Sequence, residues 1–120
     1  MEIRAIRGAV QITEDSTESM RLGVQDLIRN ILSENQLEID DLISIFFTAT
    51  PDLRSDFPAA SARGLGLEAI PLICAVEIAV PGSLPRTIRA MVHCRSRLGH
   101  REIRHIYLGG AAVLRQDLAQ

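Results

Sequence analysis

Residues 70–80 read I-P-L-I-C-A-V-E-I-A-V, and the fold turns on how that run is placed. Nearly every position is apolar and Pro71 guards the start, the pattern of a strand buried on both faces. Glu77 interrupts it. An ionised carboxylate in a dry interior costs several kcal/mol unless it is paired and hydrogen-bonded. Either Glu77 points into a wet or ligand-filled cavity, or a cation sits beside it.

Upstream, residues 42–50 (L-I-S-I-F-F-T-A-T) form a second buried strand, which Thr50-Pro51-Asp52 ends because proline drives its predecessor away from helix. Between the two strands, Pro58 suits a first helical position and is followed by small residues and Arg63, then Gly64-Leu65-Gly66. On composition this is a short connecting helix. Downstream, Pro81-Gly82-Ser83-Leu84-Pro85 marks a turn. Residues 87–95 then alternate, with Ile88, Ala90, Val92 and Cys94 on one face and Arg89, Met91, His93 and Arg95 on the other, as a half-buried strand does. A short strand over 103–108 carries His105 and Tyr107, and Gly109-Gly110 ends it.

At the other end, residues 2–12 are a first strand on which Ile3, Ala5, Arg7 and Ala9 share a face. Arg7 is either a solvated edge arginine or a functional group. Asp15 and Glu18 suggest a capping box. Met20, Val24, Leu27, Ile28, Ile31 and Leu32 then follow helical spacing for about five turns. The order is β, α, β, short α, β, β, β. This predicts an α/β (α+β-like) fold, a small mixed sheet covered on one face by one long helix. One helix cannot cover both faces, so the uncovered apolar face predicts a homo-oligomer.

Length and charge narrow the function. The 120 residues predict one domain, 1–120. A formal net charge of −2 gives no attraction to nucleic acid or anionic membrane, and no apolar run approaches the ~18 residues of a membrane span. Two cysteines, Cys74 and Cys94, and an N-terminus without a signal pattern predict a reduced, cytoplasmic protein. His93, His100 and His105 lack metal-ligand spacing, so no metal is expected. Arg86, Arg89, Arg95, Arg97, Arg101 and Arg104 make the last third basic, but without interleaved aromatics a solvated or ion-paired face is the better account. All 13 basic residues are arginine, which rules out lysine Schiff-base and P-loop lysine chemistry and favours bidentate grip on carboxylates. Arginines on apolar strands (Arg7, Arg89) and beside small-residue segments (Arg63, Arg115), one carboxylate and one Tyr describe a pocket for a small polycarboxylate with a hydroxyl.

Several motifs, in order and over almost the whole chain, resemble the AroH-class monofunctional chorismate mutases. They are I-R-A-I-R-G-A at 3–9, T-A-T-P-D-L at 48–53, F-P-A-x-x-x-R at 57–63, P-x-x-C-x-x-E at 71–77, I-R-H-I-Y-L at 103–108 and A-V-L-R at 112–115. The resemblance implies a homotrimer with a pseudo-α/β-barrel core and active sites between subunits. It implies rearrangement of chorismate to prephenate on the route to phenylalanine and tyrosine, with no cofactor. Carried over, Arg89, Glu77 and Arg7 are catalytic, and Cys74, Tyr107, Leu114 and Arg115 bind substrate from the same subunit. Phe57, Ala59, Arg63, Leu72 and Ile73 line the site from the neighbour. The family's lysine after F-P-A is Ala60 here, with Arg54 expected to replace it in drawing in substrate, and its threonine before the cysteine is Ile73. Three residues separate Cys74 from Glu77, so a regular strand sends them to opposite faces; Cys74 is expected to act through its backbone. The alternative is a non-catalytic trimeric carboxylate-binding module or an imine-deaminase-like trimer. Glu77 and Arg89 sharing one cleft would speak against a plain binder.

Overall fold

The computed structural model describes residues 1–114. The strands are β1 (Glu2–Gln11), β2 (Leu42–Ala49), β3 (Leu72–Val76), β4 (Thr87–Ser96) and β5 (Ile106–Leu108); the helices are α1 (Thr17–Glu34) and α2 (Pro58–Arg63), with 3-10 turns at Ile39–Asp41 and Gly109–Leu114. They form one five-stranded mixed sheet in the order β3-β2-β4-β1-β5. β4 lies in the middle, antiparallel to both β1 and β2, and the short outer strands β3 and β5 pair parallel to β2 and β1. Since β1 and β2 run the same way, a crossover must return the chain between them, and α1 is that crossover.

The helix packs by its inward stripe. Met20, Val24, Leu27, Ile28 and Ile31 are at most 1% exposed, and they meet Ile6, Val10, Ile45, Phe47, Ile88 and Val92 from the three central strands. Each such side chain contributes about 1.5–3 kcal/mol on burial. Gly8 lets α1 approach this closely: a Cβ there would come within 2.9 Å of both Leu27 and Ile31 side chains. α2 packs against α1 on the same side, so the other sheet face stays open.

Three sequence expectations need correction. Residues 70–80 are not a strand buried on both faces. Only Leu72–Val76 pairs, at the sheet edge, and Ile73, Val76, Ile78 and Val80 are 57–82% exposed in the single chain. A continuous apolar run looks the same whether its second face meets the protein's own core or awaits another surface. The α1 cap is Ser16, not Asp15: the Ser16 hydroxyl accepts the Ser19 N–H at 3.1 Å. Asp15 lies one residue too early, and its carboxylate instead accepts the Arg54 and Ser55 backbone N–H groups, tying down the loop before α2. The strand expected over 103–108 is shorter, because pairing with β1 begins only at Ile106.

Candidate active site

Strand register assembles the site on the open face. Thr48 of β2 lies opposite Ala75 of β3 and Arg89 of β4; Arg89 lies opposite Ala9 of β1, and Ala9 opposite Tyr107 of β5. One row across all five strands thus carries Ala75, Thr48, Arg89, Ala9 and Tyr107. Two residues along, the next row carries Ile73, Phe46, Met91 and Arg7. Directly opposed residues share a face, so the polar groups of the first row stand beside the apolar groups and Arg7 of the second. Glu77 follows the last residue of β3, its backbone N–H donating to the Ala49 carbonyl at 2.9 Å.

A cavity of about 350 Å3 opens here, with Arg7, Thr48, Glu77, Arg89 and Tyr107 as polar lining and Phe46 and Met91 as apolar walls. Both sequence alternatives for Glu77 hold together: it borders a cavity and has a cation beside it. Arg89 Nε lies 3.3 Å from Glu77 Oε1, and the Thr48 hydroxyl donates to the same oxygen at 2.5 Å. The Glu77 side chain is 23% exposed and that of Arg89 47%. Both contacts fall on Oε1.

The strand bearing Arg7 is fixed by an unusual contact. Where β5 pairing has not yet begun, the Arg7 backbone N–H donates to His105 Nδ1 at 2.9 Å. A side chain thus replaces a ladder carbonyl. Burial, and secondarily the charge of Arg7, lowers the His105 pKa, which keeps the ring neutral and that lone pair available.

The remaining expected site residues lie elsewhere on the single chain. Cys74 faces the helices, opposite in register to buried Phe47, and its sulfur accepts the Ala59 N–H at 3.4 Å. It borders a separate hollow of about 420 Å3 with Phe57, Arg54 and Asp56. Cys74 and Glu77 therefore do occupy opposite sides of the edge strand. Ala59 is buried in α2, while Phe57 and Arg63 are exposed at the two ends of that helix. Leu72 is half-buried on the helix side and Ile73 exposed on the open face opposite Phe46. Leu114 closes the final 3-10 turn; Arg115 lies outside the described residues. The sequence reading passed over Thr48, Phe46, Met91 and His105. A two-residue period on β2 places Phe46 and Thr48 on one face, but their neighbours emerge only with the register.

Among the described residues no group of three or more His, Cys, Asp or Glu side chains is placed to hold a metal ion, and no helix is long and apolar enough to cross a membrane. The arrangement offers guanidinium groups, one carboxylate and two hydroxyls around an open volume. Such a set orients an anion and stabilises charge that develops upon it.

The chain matches the family model for chorismate mutase type I over residues 3–118. It is 39% identical over 117 residues to a chorismate mutase AroH of Thermus thermophilus, covering 97% of this chain and 96% of the relative. Against a chorismate mutase AroH of Bacillus subtilis (strain 168), identity is 37% over 120 residues, with 99% and 94% covered. A solved chorismate mutase from Clostridium thermocellum superposes with a TM-score of 0.90 at 42% identity, covering 92% of this chain and 98% of that one.

Proposed function

This chain belongs to the chorismate mutase type I family, and from that premise we propose how its open sheet face works. The protein is an isomerase of aromatic amino acid biosynthesis that converts chorismate to prephenate. The reaction is a [3,3] shift: the ether C–O bond breaks as a C–C bond forms, the electrons move within one ring, and no proton is transferred. It needs no nucleophile or general base, and the residues of the cavity are suited to positioning and charge.

Arg89 carries the chemistry. Its Nε lies 3.3 Å from Glu77 Oε1, an ion-pair contact that keeps the guanidinium beside the carboxylate, and its terminal nitrogens serve the ether oxygen. Negative charge grows there only as the bond breaks, so a fixed donor favours the transition state over the ground state. Glu77 offers Oε2 to the ring hydroxyl. Arg7, with Arg63 and Arg115, holds carboxylates, and Tyr107 orients the side-chain carboxylate. Holding the substrate in a chair-like conformer supplies the rest of the effect.

The working form is a homotrimer with sites between subunits. Ile3, Phe46 and Ile73 on the open face, Val76 at the end of the edge strand and Ile78 and Val80 after it are 54–82% exposed in the single chain, more apolar surface than a lone soluble chain usually leaves uncovered. Covering it with a neighbour brings that subunit's Phe57, Ala59, Arg63, Leu72 and Ile73 to complete the cavity, while Cys74 through its backbone and Leu114 contribute from the subunit that carries Arg89. The cytoplasm is the compartment that fits two unpaired cysteines.

The observation that supports this most directly is the Glu77–Arg89 pair in one cavity with Arg7 and Tyr107. A carboxylate-binding module has no use for a carboxylate among its arginines. The test is loss of chorismate absorbance on adding purified protein, with prephenate identified as product. Tight binding of a bicyclic diacid mimic without any turnover would establish the binding module instead.

A further inference from the structure

The geometry points to Thr48 as a positioning residue, whose hydroxyl fixes the Glu77 carboxylate and, through it, the Arg89 guanidinium. This rests on the mutase reading of the same cavity and gives a role to Thr48, the first residue of the T-A-T-P-D-L motif, to which the sequence alone assigned none.

Three observations carry it. First, the Thr48 Oγ1–Glu77 Oε1 contact of 2.5 Å is shorter than the Arg89 Nε–Glu77 Oε1 contact of 3.3 Å, so the hydroxyl is the closer of the two partners on that oxygen. Second, Glu77 stands beyond the paired part of β3, its backbone held by a bond to Ala49. A half-exposed arginine 3.3 Å away is weak restraint for a side chain with three rotatable bonds, because solvent competes for both charges. A hydroxyl on a strand is better restraint: Thr48 is β-branched and its χ1 is stiff. Third, Thr48 lies directly between the two partners. It is opposite Arg89 on one side and opposite Ala75 on the other, and the small Ala75 leaves room for Glu77 to fold back over Thr48.

The consequence is a division between the two carboxylate oxygens. Thr48 and Arg89 take Oε1, so Oε2 is the oxygen presented to a ligand hydroxyl. Thr48 has one proton, and giving it to Oε1 keeps the carboxylate from turning. Once the carboxylate turns, Arg89 Nε loses its anchor and the terminal nitrogens lose their aim.

Thr48→Val keeps the branched shape and removes the donor; Thr48→Ser keeps the donor. Thr48→Val is expected to lower kcat about tenfold, which corresponds to about 1.4 kcal/mol of transition-state stabilisation, with little change in KM. Thr48→Ser restores turnover towards that of the natural chain. Affinity for a bicyclic diacid mimic, measured by calorimetry, is followed through the cycle of Thr48→Val, Glu77→Gln and the double variant. Because Thr48 acts through Glu77, the second substitution should add almost nothing to the first. An unchanged kcat in Thr48→Val, a Thr48→Ser variant as slow as Thr48→Val, or additive losses in the cycle would each overturn the role. A rise in KM alone would also overturn it and make Thr48 a simple ligand contact. If Glu77→Gln is impaired while Thr48→Val behaves normally, the role of Thr48 fails and the mutase mechanism stands. If the natural chain does not turn chorismate over, it is the mechanism that fails.

Discussion

Replacing Arg89 by lysine separates what the guanidinium does for the fold from what it does for the reaction. Arg89 is placed by β4, between Ile88 and Ala90, which point into the core and are at most 3% exposed, so the backbone beneath it does not depend on its side chain. Its one ion pair among the described residues, with Glu77, joins side chains 47% and 23% exposed. A pair with that much water contributes at most about 1 kcal/mol, or a few degrees in Tm for a chain of this size. The catalytic cost is larger. Arginine keeps Nε beside Glu77 and has two further nitrogens to offer the ether oxygen; lysine has a single ammonium, which pairs with Glu77 or reaches the ether oxygen but does not do both. Losing a fixed donor of this kind costs about 2.7–4 kcal/mol, or about 10²–10³ in kcat. Initial rates from chorismate absorbance, with thermal unfolding on the same preparation, measure both quantities. Arg89→Lys, like Arg89→Ala, should be nearly inactive and nearly as stable as the natural chain. A lysine variant within about tenfold of natural kcat, or one that loses activity only by unfolding, would refute the assignment.

Ile73→Glu puts a charge on the exposed face opposite Phe46; light scattering should show dissociation into single chains, and an unchanged mass would remove that face from the subunit contact. Ser16→Ala deletes the α1 cap and should cost about 1 kcal/mol in denaturant unfolding with kcat intact, because α1 lies on the sheet face away from the cavity. His105 has a lowered pKa, through burial first and Arg7 second. The unfolded chain therefore takes up its proton first, and stability should fall as pH drops below the ordinary histidine value of 6.5 towards the folded one, with no such loss above 6.5. His105→Gln should flatten that part of the stability-versus-pH curve, and an unaltered curve would show that His105 is not its source.

The sheet's two sides were legible because residues 87–95 alternate strictly and residues 20–32 repeat at helical spacing; one pattern assigns Arg89 away from Ile88 and the other covers a single face. The edge position of β3 was not legible, since apolar content records that a surface will be covered and not by what. The Thr48 contact was hidden for another reason. It joins positions 29 apart, and only the pairing of β2 with β3 brings them together. Asp15 was misplaced by one residue because a carboxylate near a helix start looks like a cap whether it serves the helix or a distant loop. Cys74 and Glu77 were separable in advance, since counting three along a strand suffices to put them on opposite sides.

The alternation along β4 also bears on which changes its gene can tolerate. Substitutions at 88, 90 and 92 tune heat resistance and those at 89 and 91 tune turnover, two properties that can drift independently within ten codons. Gain or loss of a single codon upstream in that strand is a different event: the pleat inverts, guanidinium groups are driven under α1 and isoleucine is presented to the substrate. The length of this segment should therefore be held more strictly over evolutionary time than the identity of its residues, Arg89 excepted.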